Sequence, residues 1–449
     1  MITVMILVHH EPKVVKVAVK NFRLFSNMDI SFVIVDKGTG NGLQDWAEEQ
    51  TDLTYVLIGD TSVGWGKAIN RVRRELHIET DLLIVEDKYM LMPQCLQRLA
   101  ESLYEEENIG GVCGICSKEV GYKEAMEEAE EKSGGSSKQA MALHYGATLW
   151  KGAFLEEIGE FEERVESLFL VVKDYCLRMI EAEKVLRVCP DAVFWKMGNE
   201  EDAVCGEPWE EAVLEHKWGM HYFNGHYNER IISLIDDEPK EKITVLEIGC
   251  DCGATLLEIK NQHPEAEVYG TEINGKAASM AAHFAKVAIN NIEDKNLPFD
   301  REMFDYIIFG DVLEHLHDPE GALKYCRDYL QEDGIVITSV PNVMHISIME
   351  QLMQGNFSYT ETGLLDKTHI HLFTCNEIIR TLDRAGYEIV YLDCVDFPIS
   401  DRQENLIDSL LAIDHTAQRF MYETFQYVIK AKKKAELGQE NEKKRILWK

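Results

Sequence analysis

The chain has 449 residues, 45% of them hydrophobic, which is enough for two or three globular domains with ordinary cores. Its 79 acidic against 46 basic side chains give a formal charge of −33, which repels nucleic-acid backbones and anionic lipid surfaces, so no nucleic-acid partner is expected. Eleven cysteines without regular spacing suit reduced, buried thiols in a cytoplasmic protein rather than a disulfide framework.

The opening run MITVMILV is too short to span a membrane and has neither a basic leader nor a small-residue cleavage site, so it reads as a β-strand and no transmembrane segment is expected. A helical KVVKVAVKNFRLF, a strand ISFVIVD, a helix through LQDWAEEQ and a strand LTYVLI follow. This alternation predicts an α/β domain with a mainly parallel sheet over residues 1–215. Cys113 and Cys116 form a CxxC, but the surrounding GGVCGIC has the look of a strand and lacks a second pair at ligand spacing, so no zinc site is expected there. The acidic runs at 123–138 and 199–212 read as solvated faces. His216, His221 and His226 stand five apart, a spacing that shares no helical face, and read as packing between domains.

Several stretches of this first domain resemble the family 2 glycosyltransferases of the GT-A fold. FVIVDKGTGNGL matches the strand whose terminal Asp, here Asp36, contacts a nucleotide base, and SVGWGKAINRV matches the donor-side loop and helix, with Gly64, Gly66 and Asn70 in register. LLIVEDKYM matches the strand end that carries the metal-binding triplet, beginning at Asp87. The resemblance implies a nucleotide-sugar site at Asp36, Gly64, Asn70 and Asp87, with a divalent Mn or Mg ion if the domain is active. The departures fall on the chemistry. Lys88 and Tyr89 occupy the rest of the triplet, Val171 and Val172 stand where a general base is needed, and Lys196 stands where a histidine is expected. Asp174 and Glu166 are the nearest acids, and either would need a shifted loop. An impaired domain kept for binding or assembly is the expectation.

Near 198–226 the composition turns acidic and Trp-rich, which marks a boundary, and a second domain is expected over 227–433. It opens with ITVLEI, a nearly continuous apolar run suited to a strand buried on both faces. Gly249 and Gly253 punctuate the turn, a helix begins near Thr255, and a second strand ends in Glu272 about twenty residues on. The pattern alone could serve NAD or S-adenosylmethionine. Asp251 takes the place of the middle glycine of a dinucleotide loop, and its negative charge argues against a phosphate ligand.

Taken in order, VLEIGCDCG, EVYGTEIN, NNIEDKNLPF, FDYIIFGDVLEHLHDPEGAL, ITSVPNV and GLLDKTHIHLFT resemble the class I S-adenosylmethionine-dependent methyltransferases, in the branch often fused to glycosyltransferases. The expected fold is therefore α/β with two Rossmann-like domains. The resemblance implies S-adenosylmethionine as cofactor, with Glu247 and Gly249 facing its methionine end, Gly253 in the binding turn, Glu272 on the ribose, Asn291 and Ile292 on the adenine, and Asp311 on the amino group. Asn291 replaces the acid usual at its position. FQYVIKAKKK reads as the last strand, and no role is assigned to a tail over 434–449.

The reaction expected is transfer of a methyl group to a hydroxyl of a sugar or glycan intermediate in surface polysaccharide biosynthesis. In-line displacement from a sulfonium needs no metal, so none is expected in this domain. It does need a base. His369, with Asp366 to orient it, is the candidate, ahead of His315, His317 and His371. Two alternatives stand beside this reading: a bifunctional enzyme that also transfers sugar from a nucleotide sugar, and a first domain that only docks a glycan or a partner.

Overall fold

Branched apolar runs become the central strands of two sheets, as their β propensity requires. The computed structural model describes residues 1–434 apart from 39–41, 118–121, 132–134, 136, 199–205, 221–224, 226 and 240. Internal contacts divide the chain into two units, Met1–Gly225 and His226–Lys449. His221 and His226 of the proposed packing cluster, and residues 435–449 of the tail, lie outside the described residues.

In the first unit the strands are β1 (Ile2–Val8), β2 (Ile30–Asp36), β3 (Leu53–Leu57), β4 (Asp81–Glu86), β5 (Tyr89–Leu91), β6 (Ile109–Ser117), β7 (Lys138–Ala140), β8 (Ala147–Trp150) and β9 (Val185–Lys196). They form one sheet in the order β3-β2-β1-β4-β8-β6-β9-β5, with β7 also on β9. The first four are parallel, but β8 runs antiparallel to β4 and β6, and β5 and β7 run antiparallel to β9. The sheet is mixed, which corrects the mainly parallel expectation. Strands of three or four residues carry no directional pattern of their own; their direction follows from where the chain re-enters the sheet. Cys113 and Cys116 lie three apart on β6, and an odd separation points side chains to opposite faces, so they cannot chelate one ion together. Among the described residues every cysteine is free, and most are buried.

The second unit contains β10 (Thr244–Ile248), β11 (Glu267–Glu272), β12 (Lys286–Ile289), β13 (Phe304–Gly310), β14 (Leu330–Pro341), β15 (Tyr387–Asp396) and β16 (Thr424–Lys433). Their order is β12-β11-β10-β13-β14-β16-β15, parallel except for β16, which is antiparallel to both neighbours. The two faces of the sheet feed two cores. Leu246, Ile248, Ile307 and Phe309 pack with Leu323 and Leu382 on one side, while Val245, Tyr306 and Ile308 pack with Leu256 and Ile259 on the other. The chain builds outward from β10 through β11 to β12 and then returns to place β13 on the opposite side of β10. A crevice therefore opens at the carboxyl ends of β10 and β13, where loops leave in opposite directions. No described helix is long and apolar enough to cross a membrane.

Candidate active site

The turn after β10 is built by two left-handed glycines. Ile248 pairs with Thr271 on one side and Phe309 on the other, so Gly249, Glu272 and Gly310 leave the sheet at one level. Gly249 (φ 67°) and Cys250 both donate to the Thr271 carbonyl, at 2.8 and 3.1 Å, and Gly253 (φ 87°) closes the turn on the Cys250 carbonyl at 2.8 Å. A Cβ at Gly249 would come within 2.7 Å of Val312 Cγ2, and one at Gly253 within 3.0 Å of Ala281 Cβ. The backbone angle disfavours a side chain at both positions, and space also excludes one at Gly249. Gly253 then caps the helix Ala254–Gln262.

Three acids stand at the ends of three adjacent strands. Glu272 is nearly buried, and its two oxygens accept the Asp251 N–H at 3.0 Å and the Asn274 N–H at 2.8 Å, which fixes the carboxylate while leaving lone pairs for a ligand. Glu247 is buried, with its Oε2 bonded to nothing. Burial pushes its carboxyl up to about 8, Asp251 and Glu272 add to the rise, and a bond from the Thr255 hydroxyl opposes it. A Cβ at Gly310 would lie 3.8 Å from Glu247 Oε1, which places Asp311 next in line. Asp311 has φ 55°; its N–H donates to Ser339 Oγ at 3.0 Å, and its Oδ1 accepts from Ser339 at 2.9 Å and from the Gln426 amide. Solvent reaches this side chain although protein surrounds it on nearly every side, as on the floor of a cleft, and burial raises its carboxyl above the ordinary range. An unpartnered buried carboxyl oxygen amid further acids fits a cationic group and repels a phosphate.

On the adenine side the structure alters two expectations. Asn291 spends its side-chain carbonyl on the Glu293 N–H at 3.0 Å, capping a short 3-10 turn, so its amide hydrogens are the part left to face a ligand. Ile292 is 4% exposed and packs into the core, where it supports the crevice from beneath. The apolar residues open to solvent at these strand ends are instead Ile273, 70% exposed, and Ile289, 67% exposed, which sequence reasoning missed. The available signal was an isoleucine immediately after the strand-end acid, where a turn favours polar residues.

Across the crevice, Glu314 and His315 sit in the short turn Leu313–His315, and the Glu314 carbonyl accepts the N–H groups of Ile370 and His371 at 2.8 and 2.9 Å. That pins the segment carrying His369 against the end of β13. The His315 and His369 rings stand 4.9 Å apart in a T-shaped arrangement. His315 Nδ1 bonds the Thr368 carbonyl and His369 Nδ1 bonds the Leu364 carbonyl, each at 3.2 Å. A carbonyl only accepts, so Nδ1 carries the hydrogen in both rings and Nε2 carries the lone pair. Asp366 does not orient His369 as expected: its carboxylate holds the Thr368 N–H and hydroxyl at 2.7 and 2.6 Å, and the Leu364 carbonyl sets the ring instead. His317 pairs with Glu293 at 3.1 Å, and His371 bonds the His317 carbonyl and stacks on Phe373.

In the first unit, the residues assigned to a nucleotide-sugar site are largely committed to the protein. Asp36 is buried at the end of β2 and accepts the Gly38 N–H at 2.7 Å and the Tyr55 hydroxyl at 2.8 Å. Gly64 and Gly66 make room for the passing main chain, since Cβ atoms there would meet the Val165 and Glu162 carbonyls at 2.5 and 1.9 Å. Asn70 does not face a donor: its amide bridges the N–H and carbonyl of Phe161, both at 2.8 Å. Asp87 is fully buried and accepts the His9 and His10 N–H groups at 3.0 and 2.9 Å and His10 Nδ1 at 2.7 Å. The rescue base Asp174 is equally engaged, by Arg178 at 3.0 Å, Trp218 at 3.0 Å and Lys217 at 2.6 Å. This donor set does not fit a divalent cation.

Residues 220–392 match a family model described as a methyltransferase domain. Over 168 residues the chain is 24% identical to malonyl-[acyl-carrier protein] O-methyltransferase of Geobacter sulfurreducens, covering 36% of this chain and 62% of that protein. It is 33% identical to a ubiquinone biosynthesis O-methyltransferase of Cereibacter sphaeroides (23% and 43% covered) and 26% identical to one of Dinoroseobacter shibae (39% and 73% covered). The chain thus spans 62% and 43% of the length of the first two of these relatives. The second unit carries a class I, S-adenosylmethionine-dependent methyltransferase domain.

Proposed function

We propose that this chain moves a methyl group from S-adenosylmethionine to a hydroxyl of a sugar or glycan intermediate of the kind assembled into surface polysaccharide. The observation that carries the reading is the row of Glu247, Glu272 and Asp311 at three neighbouring strand ends, with a buried Glu247 oxygen left unpartnered. When bound, the cofactor supplies a methyl group on a positively charged sulfonium. Glu272 would hold its ribose hydroxyls, Glu247 and Asp311 its ammonium group, and Ile273 and Ile289 the faces of its adenine. The Gly249–Gly253 turn lets main chain close on it, and the segment tied to the Glu314 carbonyl shields the transfer from water.

A hydroxyl must lose its proton as its oxygen is methylated, and His369 Nε2 is the acceptor in this reading, because its Nδ1 is already spent on Leu364. The relatives named above are O-methyltransferases, which supports a hydroxyl as the methylated group. For the first unit we favour a non-catalytic module, related to the glycosyltransferases, that docks a glycan or a partner. Asp87 locked onto His9 and His10 supports this over sugar transfer from a nucleotide sugar.

Incubating the purified chain with S-adenosylmethionine labelled in its methyl group and with extracted glycans tests the reading. Label appearing in a glycan in a base-stable ether is expected. Tight cofactor binding with label appearing only in protein or small aromatic acceptors would overturn the glycan assignment.

A further inference from the structure

Glu314, His315 and His369 each offer a ligand atom, and these atoms lie within 4.8 Å of one another. Two further observations set this cluster apart from a chance gathering of polar groups. Glu314 is 1% exposed, and its Oε2 has no bonding partner, an expensive state for a carboxyl group unless something fills the gap. Both histidines have their Nδ1–H fixed on a main-chain carbonyl, which leaves two lone pairs on adjacent rings. Outer bonds of this kind orient the histidines of metal sites and raise their basicity.

We propose that Glu314, His315 and His369 bind one divalent transition-metal ion at the acceptor side of the crevice. Two imidazoles with one carboxylate suit zinc, cobalt or ferrous iron, whereas magnesium and calcium prefer all-oxygen sets. Ligand bonds of about 2.0–2.2 Å would require the three side chains to draw closer together than they stand here. The ion would satisfy the orphaned Glu314 oxygen and both Nε2 lone pairs at once. Burial and the neighbouring Asp311 hold the Glu314 carboxyl well above its ordinary range, and a cation reverses that preference. Three protein ligands leave coordination positions open for an oxygen of the acceptor. Ion and proton claim the same lone pair on His369, so a loaded chain does not use that ring as its base.

The proposal stands on this cluster's geometry and not on the identity of the acceptor, so metal binding and glycan methylation fail separately. The test is titration of the chelator-treated, full-length chain with Co(II), followed by its visible d–d absorption. One equivalent bound in a four- or five-coordinate spectrum is expected, displaced by Zn(II), with affinity falling at least tenfold in Glu314→Gln and in His315→Asn and unchanged in His371→Ala. S-adenosylmethionine affinity, measured on each variant, reports whether the domain still folds; if Glu314→Gln fails that check, His315→Asn decides. Absence of a stoichiometric complex, strong thiolate charge-transfer bands, or equal Co(II) affinity in His315→Asn and wild type would each overturn the assignment.

Discussion

Glu272 Oε2 accepts the main-chain N–H of Asp251 at 3.0 Å, a bond that ties the end of β11 to the turn after β10 across 21 residues of sequence. The carboxylate is thereby preset before any ligand arrives. Charge-assisted hydrogen bonds contribute roughly 1.5–3 kcal/mol, so Glu272→Ala is expected to weaken S-adenosylmethionine binding by at least about tenfold. Calorimetry checks this, and equal affinities would show Glu272 to be a scaffold residue of the turn only.

Glu247 predicts a proton signature. With its carboxyl raised to about 8 in the free domain, it is mostly protonated at neutral pH, and a cationic group placed beside it drives the proton off. Cofactor binding near pH 7 should therefore release up to one proton, seen as a dependence of the calorimetric heat on buffer ionisation enthalpy. The release should fade above about pH 9, where the group is already ionised, and vanish in Glu247→Gln. The same shift has a stability consequence. Between its ordinary value of 4.5 and about 8, the folded chain holds a proton that the unfolded chain has lost, so this group's contribution falls as pH rises through that window and is level above it. The difference in melting temperature between wild type and Glu247→Gln should follow that curve.

The first unit should show no manganese-dependent hydrolysis of nucleotide sugars. Both Asp87 oxygens are held by His9 and His10, Tyr89 is buried against His144, and Val172 offers no proton acceptor. Release of nucleotide diphosphate that needs manganese and is abolished by Asp87→Ala would count decisively against the non-catalytic module.

Asn70 is expected to be a stability residue. Its amide holds both main-chain groups of Phe161, 91 residues away, so Asn70→Ala leaves buried groups unpaired at roughly 1–3 kcal/mol. Denaturant unfolding of the first unit's transition measures it. A variant as stable as wild type, with weakened nucleotide binding, would restore the donor-site role.

His369→Ala should lower kcat by roughly 10² to 10⁴ while leaving cofactor affinity and melting temperature nearly unchanged. A loss of activity that merely tracks a loss of stability would reassign the ring to holding its loop, through the Leu364 carbonyl it already bonds.

Much of the second unit was legible in the chain because its information is local. ITVLEI, two glycines four residues apart, a helix and a strand-end acid specify a strand, a left-handed turn and a preset carboxylate within 30 residues, and the structure has each of them. What that stretch could not state was which residues its turns would leave bare: Ile292 went to the core and Ile273 to solvent, because helix and strand periodicity say little where the chain is neither.

The sequence by itself determined the strand order's raw material, the glycine turn and the acids at the strand ends, since backbone angles and side-chain period act between near neighbours. Only the tertiary structure decided that Asp87 is spent on His10, that Asn70 is spent on Phe161, that β8 runs backwards, and that Glu314 and His315 meet His369 from 55 and 54 residues away. Each of these depends on where distant segments return to the sheet. A side chain's chemistry is set by the partner it finds there, and that partner is not written in its own neighbourhood.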